Sequence, residues 1–166
     1  MNRQIWLTVI KIPIMKNFIL FAMLCVLSID ANAQSDNPKY NKALADSLGS
    51  DDYGMKSYVL VILKTGTNKT TVKKTIDSLF SGHMDNINRL AKSGQLIVAG
   101  PMKKNEKSYR GIFILNVKTV EEAGSLLSTD PAVKEKLLEA ETYVWYGSAA
   151  LPLYLKSHEL IEKKKY

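Results

Sequence analysis

Five consecutive aliphatic residues, Val59-Leu60-Val61-Ile62-Leu63, leave a strand no polar side to turn toward water. Successive side chains of a strand point to opposite faces, so a strand with one wet face alternates apolar and polar positions. Leu96-Ile97-Val98 and Ile112-Phe113-Ile114-Leu115 break that alternation in the same way, and Val144-Trp145-Tyr146 nearly does. A sheet built from these four segments has to be covered on both faces.

The stretches between them say what the cover is. Met55 to Lys64 is rich in β-branched and aliphatic residues and stops at Thr65-Gly66, as a strand does. Thr70 to Ser93 has helical period: Ile76, Leu79, Phe80, His83, Ile87 and Leu90 share one face, and Gly94 is the stop. Gln95 to Ala99 reads as a second strand ended by Gly100-Pro101, and Lys103 to Ser108 as a charged turn. Tyr109 to Lys118 is a third strand. Thr119 to Leu127 is a helix, with Thr119 and Glu122 spaced as a capping box. Asp130-Pro131 opens a further short helix to about Leu138, since Asp caps well and Pro is tolerated at the first helical position. Glu141 to Tyr146 is the fourth strand, and Pro152 to Lys163 a terminal helix.

This order predicts an α+β fold of the ferredoxin-like βαββαβ kind, a four-stranded antiparallel sheet with its helices on one face. The second face is then an apolar patch larger than a lone subunit normally shows. A homodimer stacking sheet on sheet would cover it. The competing reading is that the chain's own arm and C-terminal helix do so.

The ends are of a different kind. Phe18 to Ile29 is an apolar stretch of twelve after Lys16-Asn17, and Ala31-Asn32-Ala33 supplies small residues for cleavage before Gln34. Residues 1–33 read as a signal peptide, complete from Met15, which is a possible true start. The stretch falls short of the ~20 apolar residues a bilayer span needs, so no transmembrane span is expected once the signal is removed. Residues 34–54 read as an N-terminal arm, 55–147 as the domain, and 148–166 as a helical tail. A periplasmic or secreted location follows. Cleavage removes Cys25, the sole cysteine, and with it any disulfide or thiol chemistry. The whole chain carries +7; without Arg3, Lys11, Lys16 and Asp30 it carries +5. Its lysines are scattered and form no basic aromatic stripe, so no nucleic-acid partner is expected.

His83 has Leu79 and Phe80 behind it and Ile87 ahead on the helix face that meets the sheet. Asp130 begins a helix on that same side. An aspartate beside the ring would fix its tautomer and support it as a general acid or base. Plainer readings compete: a core histidine bonded to a backbone carbonyl, and an aspartate that is only an N-cap.

Three motifs in order carry a resemblance. Gly82-His83-Met84-x-x-Ile87-x-x-Leu90, Gly94-x-Leu96-x-x-Ala99-Gly100-Pro101 and Thr129-Asp130-Pro131-Ala132-Val133 resemble the YCII-related family over Met55 to Tyr146. The resemblance implies a dimeric α/β barrel similar to muconolactone isomerases, with a His-Asp pair in a pocket beside the sheet. One branch of that family is a dehydrochlorinase of chlorinated hydroquinones. Carried over, the pair is His83 and Asp130, with Gly100 and Pro101 in the pocket wall. The export signal, arm and tail depart from the family pattern.

Arg110 could hold an anionic substrate group, and Trp145 could line a pocket for a ring; a strand-end surface charge and a core aromatic are the plainer alternatives. Two distant histidines without cysteine offer no tight metal site, and no phosphate-cradling or dinucleotide glycine motif occurs, so no cofactor is expected. The expected function is a cofactor-free lyase or isomerase acting on a small cyclic or aromatic ligand. The alternative is a non-catalytic periplasmic small-molecule-binding or stress-related module.

Overall fold

In the computed structural model, residues 37–164 are described; the expected signal peptide, Met15 and the first residues of the arm lie outside the described residues. The chain divides into two units, Met1–Tyr40 and Asn41–Tyr166. In the first, the described residues close a turn in which the Tyr40 N–H donates to the Asn37 carbonyl (2.9 Å). Everything that follows belongs to the second.

Asn41 starts α1 (Lys42–Leu48) by accepting the Leu44 N–H on its side-chain oxygen, and Gly49 ends it in the left-handed conformation at φ 68°. The loop behind it is tied by Asp51. Its Oδ1 accepts the N–H groups of Tyr53 and Met55, and its Oδ2 accepts the Tyr146 hydroxyl. That hydroxyl first, and the Met55 amide next, hold the Asp51 carboxyl below its usual value.

Four strands form one antiparallel sheet: β1 (Met55–Thr65), β2 (Leu96–Pro101), β3 (Tyr109–Leu115) and β4 (Leu138–Ser148), in the order β2-β3-β1-β4. With α2 (Lys73–Lys92) between β1 and β2, and α3 (Val120–Leu127) with α4 (Pro131–Lys134) between β3 and β4, this is the predicted ferredoxin-like arrangement. A 3₁₀ turn (Leu151–Leu153) and α5 (Tyr154–Ile161) close the described chain. Among the described residues no helix is long and apolar enough to cross a membrane.

The core lies on one side of the sheet. Val59, Val61 and Leu63 of β1 and Phe113 and Leu115 of β3 pack under Leu90 of α2, Ala123 and Leu127 of α3, and Ala132 of α4. Each large aliphatic side chain buried there is worth about 1.5–3 kcal/mol. The register places Tyr58, Leu60, Ile62, Ile112, Ile114 and Val98 on the opposite face. Tyr58 is fully buried there, its hydroxyl donating to the Ser148 carbonyl (2.9 Å) and its ring 5.8 Å from Trp145. The tail reaches the β2 edge, where the Tyr154 hydroxyl donates to the Ile97 carbonyl. Leu60, Ile62, Val98, Ile112 and Ile114 stay partly exposed, and Tyr143 is half exposed.

Element boundaries differ from expectation in places with local causes. The Thr119–Glu122 capping box is present, each side chain bonding the other's backbone N–H (3.2 Å both ways). α2 starts at Lys73 rather than Thr70, because Asn68 accepts the Thr70 N–H (2.9 Å) and holds a turn there. β3 ends at Leu115, and the tail helix is split and shorter than Pro152–Lys163. The helix after Asp130 ends at Lys134, not Leu138, and β4 begins at Leu138, not Glu141. Lys136 adopts a left-handed φ of 56° and turns the chain directly into the sheet.

Gly66 packs against that turn. A Cβ on Gly66 would lie 2.1 Å from the Lys136 carbonyl oxygen, and its N–H donates to Leu137 O (2.9 Å). Gly66→Ala is therefore expected to cost about 1–3 kcal/mol, measured by urea denaturation, since backbone rather than a flexible side chain must move. An unchanged midpoint would mean the loop shifts freely.

Candidate functional site

The close approach of α2 and α4 comes from a missing side chain. Gly82 sits under Pro131: a Cβ there would lie 2.8 Å from Pro131 Cγ. Its neighbour His83 thereby meets Asp130, the residue before that proline. His83 Nδ1 and Asp130 Oδ2 are 2.6 Å apart, slightly shorter than the ~2.7–2.9 Å usual for a charge-assisted N–H···O bond. Asp130 is fully buried. Its two oxygens have separate duties. Oδ1 accepts the Ala132 and Val133 N–H groups (2.9 and 3.4 Å) as the N-cap of α4, while Oδ2 faces the ring.

The imidazole is gripped on its faces as well. It stacks on Phe113 at 5.9 Å and 24°, and stands edge-on to Phe80 at 6.1 Å and 84°. A carboxylate only accepts, so in the neutral ring Nδ1 carries the proton and Nε2 keeps the lone pair. No described residue hydrogen-bonds Nε2, and no described buried side-chain nitrogen or oxygen lacks a partner. Nε2 therefore belongs to the tenth of the His83 side chain that remains accessible. Such a ring can take a proton at Nε2 while the buried carboxylate stabilises the charge that results.

A second polar cluster adjoins the pair and was not among the expected residues. Asn86, one turn beyond His83 and buried, accepts from Arg89 Nη2 on Oδ1 (2.6 Å). The same Nη2 donates to Thr129 Oγ1 (2.8 Å). Thr129 Oγ1 lies 2.9 Å from Asn86 Oδ1 and 2.6 Å from the Leu126 carbonyl. The one hint in the sequence is a polar Asn86 three residues from His83 and four from Leu90, on an otherwise apolar face.

Of the residues expected to wall a pocket, Trp145, Gly100 and Arg110 are not gathered around His83. Trp145 pairs with Tyr58 across the β1–β4 ladder, which puts it on the sheet face away from α2; its ring lies over Gly147. Strand alternation is the reason. Gly100 pairs with Ile112, also on that far face, and Arg110 is exposed at an irregularity between β1 and β3. Pro101 pairs with Gly111 on the helix side, two positions along β3 from Phe113, the ring on which His83 stacks. A recess of about 290 Å³ opens elsewhere on α2, lined by Lys74, Thr75, Ser78 and Leu79, and neither His83 nor Asp130 lines it.

A family model described as YCII-related domain matches residues 58–145, more than half of the chain. No curated protein matches. Among solved structures, the chain is similar to 5-chloro-2-hydroxyhydroquinone dehydrochlorinase (TftG) from Burkholderia phenoliruptrix AC1100, in complex with 2,5-dihydroxybenzoquinone. The identity is 19% and the TM-score 0.38, with 52% of this chain and 92% of that chain covered.

Proposed function

The chain belongs to the YCII-related family, and from that premise we propose that it is an exported, cofactor-free lyase or isomerase whose His83 and Asp130 act as an acid/base pair on a small cyclic or aromatic compound. The observation that supports this reading is the 2.6 Å approach of His83 Nδ1 to a carboxylate that no water reaches.

In the proposed reaction Nε2 removes a proton from an acidified carbon of the substrate. The electron pair left behind becomes a new double bond. In an elimination a leaving group departs with its own bonding pair; in an isomerisation Nε2 returns the proton to another carbon. Asp130 stays ionised throughout and holds the imidazolium in place. Neither route transfers electrons to a separate acceptor.

The test is turnover of a panel of quinol-like and lactone compounds by the wild-type protein and by His83→Ala. Equal rates for the two proteins end the acid/base reading. Stabilisation by a compound without product would instead place the chain among binding modules. At 100 Kd of ligand such binding adds about 2.7 kcal/mol to unfolding.

The proposal includes a homodimer with sheet facing sheet, supported by the partly exposed Leu60, Ile62, Ile112 and Ile114. Light scattering is expected to give twice the chain mass for wild type and a monomer for Ile112→Lys, which sets a charge amid that patch. A monomeric wild type removes the dimer from the proposal. The signal peptide is tested by sequencing the N-terminus of the exported protein, expected at Gln34. A product retained in the cytoplasm with residues 1–33 intact overturns the proposed location.

A further inference from the structure

Arg89 has no described carboxylate partner, yet one of its nitrogens bridges two elements. Nη2 reaches Asn86 Oδ1 on α2 and Thr129 Oγ1 on the turn before α4. Thr129 is covalently next to Asp130, and Asn86 is buried one turn from His83 on the same helix face. Asp130 is thus bracketed. On one side Pro131 rests on Gly82, and on the other Thr129 is fastened to Asn86 and Arg89. Between the two brackets stands the 2.6 Å bond to His83. A bond that short tolerates only a few tenths of an ångström of sliding between α2 and α4 before it lengthens out of its strong range. The Gly82–Pro131 contact resists closer approach; it cannot resist separation. The Arg89 bridge, which pulls, can.

We propose that Arg89, acting through Asn86 and Thr129, is a positioning residue that holds Asp130 against His83 and so fixes which ring nitrogen carries the proton. This rests on the acid/base reading of the pair. Arg89 touches neither the ring nor the carboxylate.

The readout is the His83 tautomer from imidazole nitrogen shifts at a pH where the ring is neutral. His158 is the only other imidazole in the sequence, and the His83→Ala spectrum assigns the signals. Wild type is expected to be almost wholly the Nδ1–H form. Arg89→Met keeps the aliphatic stem and loses the bridge; the ratio of Nδ1–H to Nε2–H forms is expected to fall about tenfold, the worth of one charge-assisted hydrogen bond. Arg89→Lys, whose ammonium can also donate twice, is expected to restore most of the ratio. Thr119→Ala breaks the capping box of α3 and destabilises the same helical layer without touching the bridge. It is expected to lower Tm and leave the ratio alone. Should Arg89→Met fail to fold, Thr129→Val removes the accepting hydroxyl at nearly constant shape and is read in the same way.

A wild-type ratio in Arg89→Met, or an equal shift in Thr119→Ala, overturns the positioning role and leaves the acid/base reading standing. A wild-type ring that is not in the Nδ1–H form overturns both.

Discussion

His83→Ala is expected to lower turnover of a productive substrate by about 10²–10⁴-fold, the usual worth of a positioned general base or acid. Binding should change little, because the lost atoms of a ring nine-tenths covered offer a guest little surface. The loss should therefore fall on kcat rather than KM, as for an interaction made only in the transition state. His83→Gln is the sharper comparison. A glutamine amide can donate to Asp130 as the ring does, but it offers no base at neutral pH. It should fold like wild type and remain as inactive as the alanine variant. A His83→Gln protein with wild-type kcat would mean that the ring serves only to complete the hydrogen bond to Asp130.

Asp130→Ala is expected to cost about 1.5–5 kcal/mol of stability, the sum of a lost N-cap at about 0.5–2 and an unsatisfied buried ring N–H at about 1–3. Set against a total of about 5–15 kcal/mol for a domain, this is a large fraction. Tm should drop by about 5–15 °C in a thermal scan. Asp130→Asn separates the two duties. Its amide oxygen still caps α4, so the fold should lose far less. Its NH₂ donates where the carboxylate accepted, so the ring must present a lone pair at Nδ1 and carry its proton at Nε2. Turnover should then fall about as far as in His83→Ala although the protein is folded. An Asp130→Ala protein within 1 kcal/mol of wild type would show that α4 does not depend on this cap.

The two residues could be singled out from the sequence, because each sits in a strong local pattern, while their contact was one of several readings the residues alone left open. His83 lies on a helical stripe that only a sheet could cover, and Asp130 precedes a proline, where a helix begins. What linear reading missed is what depends on packing between elements. Asn86, Arg89 and Thr129 look like ordinary solvated polar residues until α2 and the turn before α4 are brought within bonding distance. The start of β4 was hidden for another reason. Leu138-Glu139-Ala140-Glu141 has good helix formers, but the left-handed Lys136 and the full ladder to β1 impose extended structure, with Glu141 answered by Lys64 at 2.5 Å. Strand alternation from Val59 locates Trp145: Val144 pairs with Val59, so the next residue faces the other way, on the sheet side away from His83.

The divided carboxylate of Asp130 has a consequence for anyone comparing this chain with its kin. One oxygen is needed for a helix to begin whether or not any chemistry takes place, so a relative without the proposed catalysis would still be under pressure to keep an aspartate or asparagine there. No such folding duty protects the imidazole, since a plain donor could satisfy the other oxygen. The histidine, not the acid beside it, is the character whose loss would mark a silent member.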